Sequence, residues 1–113
     1  MDDELYLNEA EEDEDADEAS LVVKFDKPYV FEGKEYTEVD LSGLEDMKTK
    51  TWTKVMNTVR RSGEGFDPTP QLNPEYSIRM AATATNLPVE FFELLPYKEG
   101  SKVHNRVMVF SNR

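Results

Sequence analysis

The chain has 113 residues, enough for one small domain, with 24 acidic and 13 basic side chains, a formal charge of −11, 38% apolar residues, no cysteine and one histidine. The lack of cysteine excludes a disulfide scaffold and any thiolate-ligated zinc or iron–sulfur centre. Residues 1–20 carry 11 of the acids and no base, so the other 13 acids meet 13 bases over residues 21–113; a part that is neutral on balance lacks the basic face a nucleic-acid-binding module needs.

Dense like charge with little apolar surface cannot offset chain entropy, so residues 1–20 read as a disordered acidic tail. Within it Leu5-Tyr6-Leu7 is either a short docking motif or three incidental residues in a solubilising run. Residues 21–113 read as a single domain.

That domain opens on a β-hairpin. Residues 21–42 are rich in Val, Phe and Tyr, and Glu32-Gly33 suits the turn because glycine supplies the positive φ that a tight strand reversal needs. Val23, Phe25, Tyr29 and Phe31 share one alternation phase, answered by Tyr36, Val39 and Leu41 on the return. Pro28 has no N–H for a ladder, which implies an edge or a break and two short pieces in place of one strand.

Residues 42–62 carry the clearest helical pattern. Ser42 and Glu45 fit a capping box, while Lys48 on the apolar side favours a later start at Thr49 after a separate turn over Leu44–Met47. Leu44, Trp52, Val55, Met56 and Val59 fall in one sector, with Lys50, Lys54, Asn57 and Arg61 opposite. Residues 63–72 form a loop by their glycines and prolines. Asn73-Pro74-Glu75 then reads as N-cap, first-turn proline and early acid of a helix to about Thr85, its inner face Tyr76, Met80, Ala81 and Ala84. Leu87-Pro88 stops it and starts a short helix over Val89–Leu95, with Val89, Phe92 and Leu95 inward, ended by Pro96. In the last stretch Val103, Val107 and Phe110 have helical spacing with Ser101 as cap, although Val107–Phe110 also fits a strand; the helix is preferred. The fold class expected is α+β, a hairpin packed on three to four α-helices.

The chemistry is sparse. His104 with Ser101 three residues earlier is the sole acid–base candidate, and a lone histidine on an amphipathic segment is ordinarily structural. The tail's EEDEDADE lacks the glycine and fixed oxygen spacing of a calcium loop, and Gly63-Glu64-Gly65 lacks the lysine and helix start of a phosphate loop. The expectation is therefore a protein that is not an enzyme and uses no cofactor or metal. No run of about 18 apolar residues or basic leader is present, which favours a soluble cytosolic chain that engages no membrane. Trp52, Val55, Met56, Val59, Phe91, Phe92 and Phe110 are candidates for a client or self-association interface as well as for the core. Phe91 and Phe92 point about 100° apart on a helix, which would leave one of them near the surface. Lys50, Lys54 and Arg61 are a candidate electrostatic contact for the acidic tail of a neighbouring copy.

The order of these segments resembles the tail assembly chaperones of long-tailed phages and related prophages. The likeness rests on Lys27-Pro28-Tyr29-Val30-Phe31-Glu32-Gly33-Lys34-Glu35-Tyr36-Thr37-Glu38-Val39-Asp40-Leu41-Ser42, on the Thr49–Arg61 helix, and on Ala81–Pro88 leading into Val89–Leu95 and the Val103–Phe110 close, spanning roughly residues 24–110. It implies a non-enzymatic α+β protein of the infected cell's cytoplasm that coats the tape measure protein, keeps it soluble, helps recruit tail tube subunits and is absent from the mature virion. A longer frameshift product contacts the tube protein in many such phages, and this chain, ending at Asn112-Arg113, would be the short form. The acidic N-terminus departs from the pattern. Coating a rod also calls for self-association into rings or spirals. The alternatives are an acidic decoy that binds a basic host protein and a structural tail completion subunit.

Overall fold

A computed structural model describes residues 20–62, 65 and 67–112. The architecture is α+β: a two-stranded antiparallel hairpin, β1 (Val22–Phe31) and β2 (Lys34–Asp40), followed by α1 (Thr49–Arg61), α2 (Pro74–Thr85), α3 (Val89–Glu93) and α4 (Tyr97–Ser111). Short 3-10 turns at Ser42–Asp46 and Pro70–Leu72 precede α1 and α2. The acidic residues 1–19, including Leu5-Tyr6-Leu7, and Gly63, Glu64 and Phe66 of the loop lie outside the described residues.

At the hairpin tip both Glu32 and Gly33 take positive φ, 51° and 81°, the mirror-image turn whose twist matches that of the strands it joins. Val22 pairs with Asp40, Val23 with Val39 and Lys24 with Glu38; after a register shift Tyr29 pairs with Tyr36 and Phe31 with Lys34. Phe25–Pro28 therefore stands against Thr37 alone. β1 is one strand, not two, but the missing N–H of Pro28 falls inside this bulge, so the ladder is divided where the proline requires it.

The outer edge of β1 is covered by α4. Glu99 Oε2 accepts from the Asp26 N–H at 2.9 Å, Lys102 Nζ donates to the Lys24 carbonyl at 2.9 Å, and Arg106 Nη1 donates to the Val22 carbonyl at 3.1 Å. Alternate residues of a strand turn their peptide groups to the same edge, and residues one turn apart share a helix face. Side chains at 99, 102 and 106 thus satisfy the edge groups at 26, 24 and 22, which would otherwise invite a foreign strand. Asp26 adds ion pairs to Lys98 at 2.5 Å and Lys102 at 2.7 Å. Hydrogen bonds from Lys102 and then Lys98 hold its carboxyl down at about 2. Lys102 itself is pulled down by desolvation, but its bonds and attraction to Asp26 and Glu99 outweigh that and raise it.

The helices begin and end largely where local chemistry dictates. Asn73 Oδ1 accepts from the Glu75 N–H at 2.9 Å with Pro74 as first helical residue, and Asn86 closes α2 in the left-handed region at φ 63°. The capping box at Ser42 does not form: Asp40 Oδ1 takes the Ser42 N–H instead, at 2.9 Å, and the chain makes a separate 3-10 turn before α1 begins at Thr49. Residues 102–110 are helical, but Ser101 is not the cap. Pro96, with ψ 149°, ends one segment and opens the next, so α4 starts at Tyr97, and the Gly100 N–H reaches the Pro96 carbonyl at 2.9 Å.

The core draws on every element. Val23, Phe25, Val39 and Leu41 from the hairpin meet Val55 and Val59 of α1, Tyr76, Met80 and Ala81 of α2, Phe91 and Phe92 of α3, and Val103 and Val107 of α4. At the hairpin end the Phe91 ring is enclosed by Tyr29, Phe31 and Tyr36 at centroid distances of 5.0, 5.3 and 4.8 Å, and Tyr29 Oη donates to the Phe91 carbonyl at 2.8 Å. Burial raises the Tyr29 phenol above its ordinary range.

Candidate protein-binding groove

The seven apolar interface candidates separate into two groups. Val55, Val59, Phe91 and Phe92 are buried in the core and offer no surface to a partner. The expectation that one of the two phenylalanines is surface-exposed fails for a physical reason. The five-residue α3 lies between hairpin and helices, so both directions in which its rings point are inward, Phe91 toward the hairpin aromatics and Phe92 toward α2 and α4.

Trp52, Met56 and Phe110 come together instead. They line a groove of about 660 Å³ whose walls are α1, the Leu44–Met47 turn, Leu72 and the C-terminal end of α4, with Tyr76 and Met80 of α2 below. Helical periodicity assembles it: Trp52 and Met56 are one turn apart, as are Tyr76 and Met80. Trp52 is 41% exposed and Leu72 59%, although a fold this small needs its large apolar side chains inside. One polar contact fixes the Trp52 ring, its Nε1–H donating to Tyr76 Oη at 2.9 Å.

Met47, Met56, Met80 and Met108, four of the chain's five methionines, line this groove. An unbranched, polarisable thioether adapts to differently shaped apolar faces, which suits a surface that grips a class of sequences more than one sequence. The helix periodicity alone did not single out Met47, Leu72 or Met108, because they lie on three different elements. The one usable signal was the concentration of methionine in a short chain.

Lys50, Lys54 and Arg61 are exposed on α1, Lys54 on the flank that lines a shallow pocket with Arg79 and Thr83 of α2 and Val89. α1 carries four bases, these three and Arg60, and no acid. Asn57 Oδ1 accepts from Arg60 Nη1 at 3.0 Å.

His104 pairs with Ser77, not with Ser101. Ser77 Oγ and His104 Nδ1 are 2.7 Å apart at the edge of a second apolar pocket of about 290 Å³ between α2, α3 and α4. Ser77 is almost wholly shut from solvent, and among the described residues no carboxylate hydrogen-bonds the imidazole. The pair satisfies two polar groups in an apolar setting. Among the described residues no three acidic, histidine or cysteine side chains are grouped to hold a metal, and no helix is long and apolar enough to cross a membrane.

Compared with protein-family models, with curated proteins and with solved structures, the chain finds no match.

Proposed function

We propose that this protein is a non-enzymatic binding protein of the tail assembly chaperone type, which shields apolar helical segments of a tape measure protein during tail assembly. The observation that carries this reading is the methionine-lined groove at Trp52, Met56, Met108 and Phe110. A long helical client presents apolar faces that aggregate when left uncovered, and laying such a face into an apolar groove is a general way to cover it. The resemblance in segment order supports the family reading, and the groove supports the reading that a client is bound there.

Coating a rod takes many copies, so a self-contact accompanies the client contact, and a head-to-tail arrangement yields rings or spirals. Leu94 and Tyr97, exposed at the corner between α3 and α4, and Val30 on β1 are exposed apolar side chains outside the groove, and the first two, side by side, are the ones such a contact would use. Recruitment of tail tube subunits belongs to the same proposal.

Co-expression with a tape measure fragment tests it. The fragment's soluble yield should rise and a large species containing both chains should elute from a sizing column. A fragment that behaves alike with and without this protein counts against the proposal.

A further inference from the structure

We infer that, in the client-free protein, the groove seats a second copy of this chain, whose Leu94 and Tyr97 enter beside Trp52 and Leu72. The inference rests on two surfaces of the fold and holds apart from the identity of the client.

The first argument is where the open apolar surface lies. Among the described residues the exposed large apolar side chains are Val30, Trp52, Leu72, Leu94 and Tyr97. All but Val30 gather in two places, a groove and a projecting corner. Trp52 and Leu72 line the groove, while Leu94 and Tyr97, 67% and 89% exposed, stand where α3 passes into α4. Tyr97 is the first residue of α4, and Phe110 in the groove is near its end, so the helix holds the two sites about 20 Å apart. A corner cannot reach the groove of its own molecule; the groove it fills is a neighbour's.

The corner is also built to keep its shape. Leu95, next to Leu94, is buried and anchors the corner from below, and Pro96 fixes the backbone that opens α4. Little chain entropy is lost when such a corner docks. Compliance comes from the other side, where methionines line the groove.

Charge supplies the third argument. Glu90 and Glu93 are exposed on α3 beside Leu94, Glu90 one turn before it. On the α1 side of the groove Lys48 and Lys50 are exposed to either side of Thr49, a lining residue. Glu45 lines the wall made by the Leu44–Met47 turn, so a docked corner turns its acids toward α1. Two corners meeting would set Glu90 and Glu93 against their own copies, and two grooves would leave each other empty. Corner in groove is the pairing that charge and shape both favour. Because the two sites differ, the contact repeats head to tail unless two copies close on each other reciprocally.

Sedimentation equilibrium on two full-length variants tests the contact. Leu94→Ser with Tyr97→Ser removes the corner and keeps the groove; Leu72→Glu spoils the groove and keeps the corner. All three side chains are exposed, so at low concentration both variants should melt with the unsubstituted chain. The unsubstituted chain should gain mass between about 1 μM and about 1 mM, the affinity range of a small contact. Each variant alone should associate about tenfold or more weakly. Mixed in equal amounts, each supplies the half the other lacks, and a 1:1 pair should form that grows no further. A charge-exchanged pair repeats the test without touching apolar residues: Glu90→Lys with Glu93→Lys should associate weakly alone and better with Lys48→Glu, Lys50→Glu. A chain that stays monomeric over this range, variants that associate as well as the unsubstituted chain, or mixtures that form no pair each overturn the inference. Any of these results with the tape measure fragment still kept soluble removes this inference alone and leaves the proposed function standing.

Discussion

A methyl group added to Gly43 would stand 2.2 Å from the carbonyl oxygen of Ala84 and 3.0 Å from its carbonyl carbon. The turn after the hairpin thus lies directly against the C-terminal end of α2, on the small-residue face that includes Ala81. Because the obstacle is backbone, it cannot swing aside. Gly43→Ala is expected to cost about 1–3 kcal/mol, an overpacking penalty read as a lower urea midpoint with an unchanged slope.

Asp26 sets an acid limit on the strap between β1 and α4. Its carboxyl sits near 2 in the fold, below the ordinary value of 3.8, so its contribution is fully present above about pH 4 and is lost as pH falls toward 2. With a third of the side chain exposed, solvent screening keeps that contribution within about 1 kcal/mol. Asp26→Asn should lower stability at pH 7 and narrow its fall between pH 4 and pH 2, measured by urea unfolding at each pH.

Arg106 is 7% exposed and carries the carbonyls of both Ser20 and Val22. Replacing it by Met keeps the stem and removes the donors. The expected loss is about 1–3 kcal/mol, with faster amide exchange at the start of β1, the part left without its strap.

At the groove, Leu72 is more than half exposed and takes no part in the buried core, so Leu72→Glu should leave the melting temperature almost unchanged. A carboxylate in an apolar contact site should weaken client binding about tenfold or more. Titrating a client peptide against Trp52 fluorescence checks both halves; a fold that melts early, or binding that is undiminished, contradicts the assignment of the groove.

Tyr76→Phe removes the acceptor of the Trp52 Nε1–H while keeping the ring. Trp52 is exposed enough for water to take that bond, so the stability cost should stay near 0.5–1 kcal/mol, whereas the Trp52 emission should shift.

Much of the fold was legible in the residues because its punctuation is local. Asn73-Pro74 starts α2, Glu32-Gly33 turns the hairpin, and Pro88 and Pro96 divide the C-terminal helices, since each of these acts through its own φ, its own missing N–H or a side chain two residues away. Element order and the α+β class followed from that. The start of α4 was misplaced at Ser101, where a plausible cap competes with a proline that already holds the required backbone angles.

Which apolar side chains are core and which remain open was decided only by the tertiary structure. Periodicity gave Trp52, Val55, Met56 and Val59 one common sector, yet the inner pair packs against the core and the outer pair lines the groove, because burial depends on what stands opposite each residue. The same holds for Ser77, which meets His104 across 27 positions, and for Glu99, Lys102 and Arg106, whose strand-edge partners lie more than 70 positions away. A sequence states the direction in which a side chain leaves its own helix; only the packed chain supplies the surface that it meets.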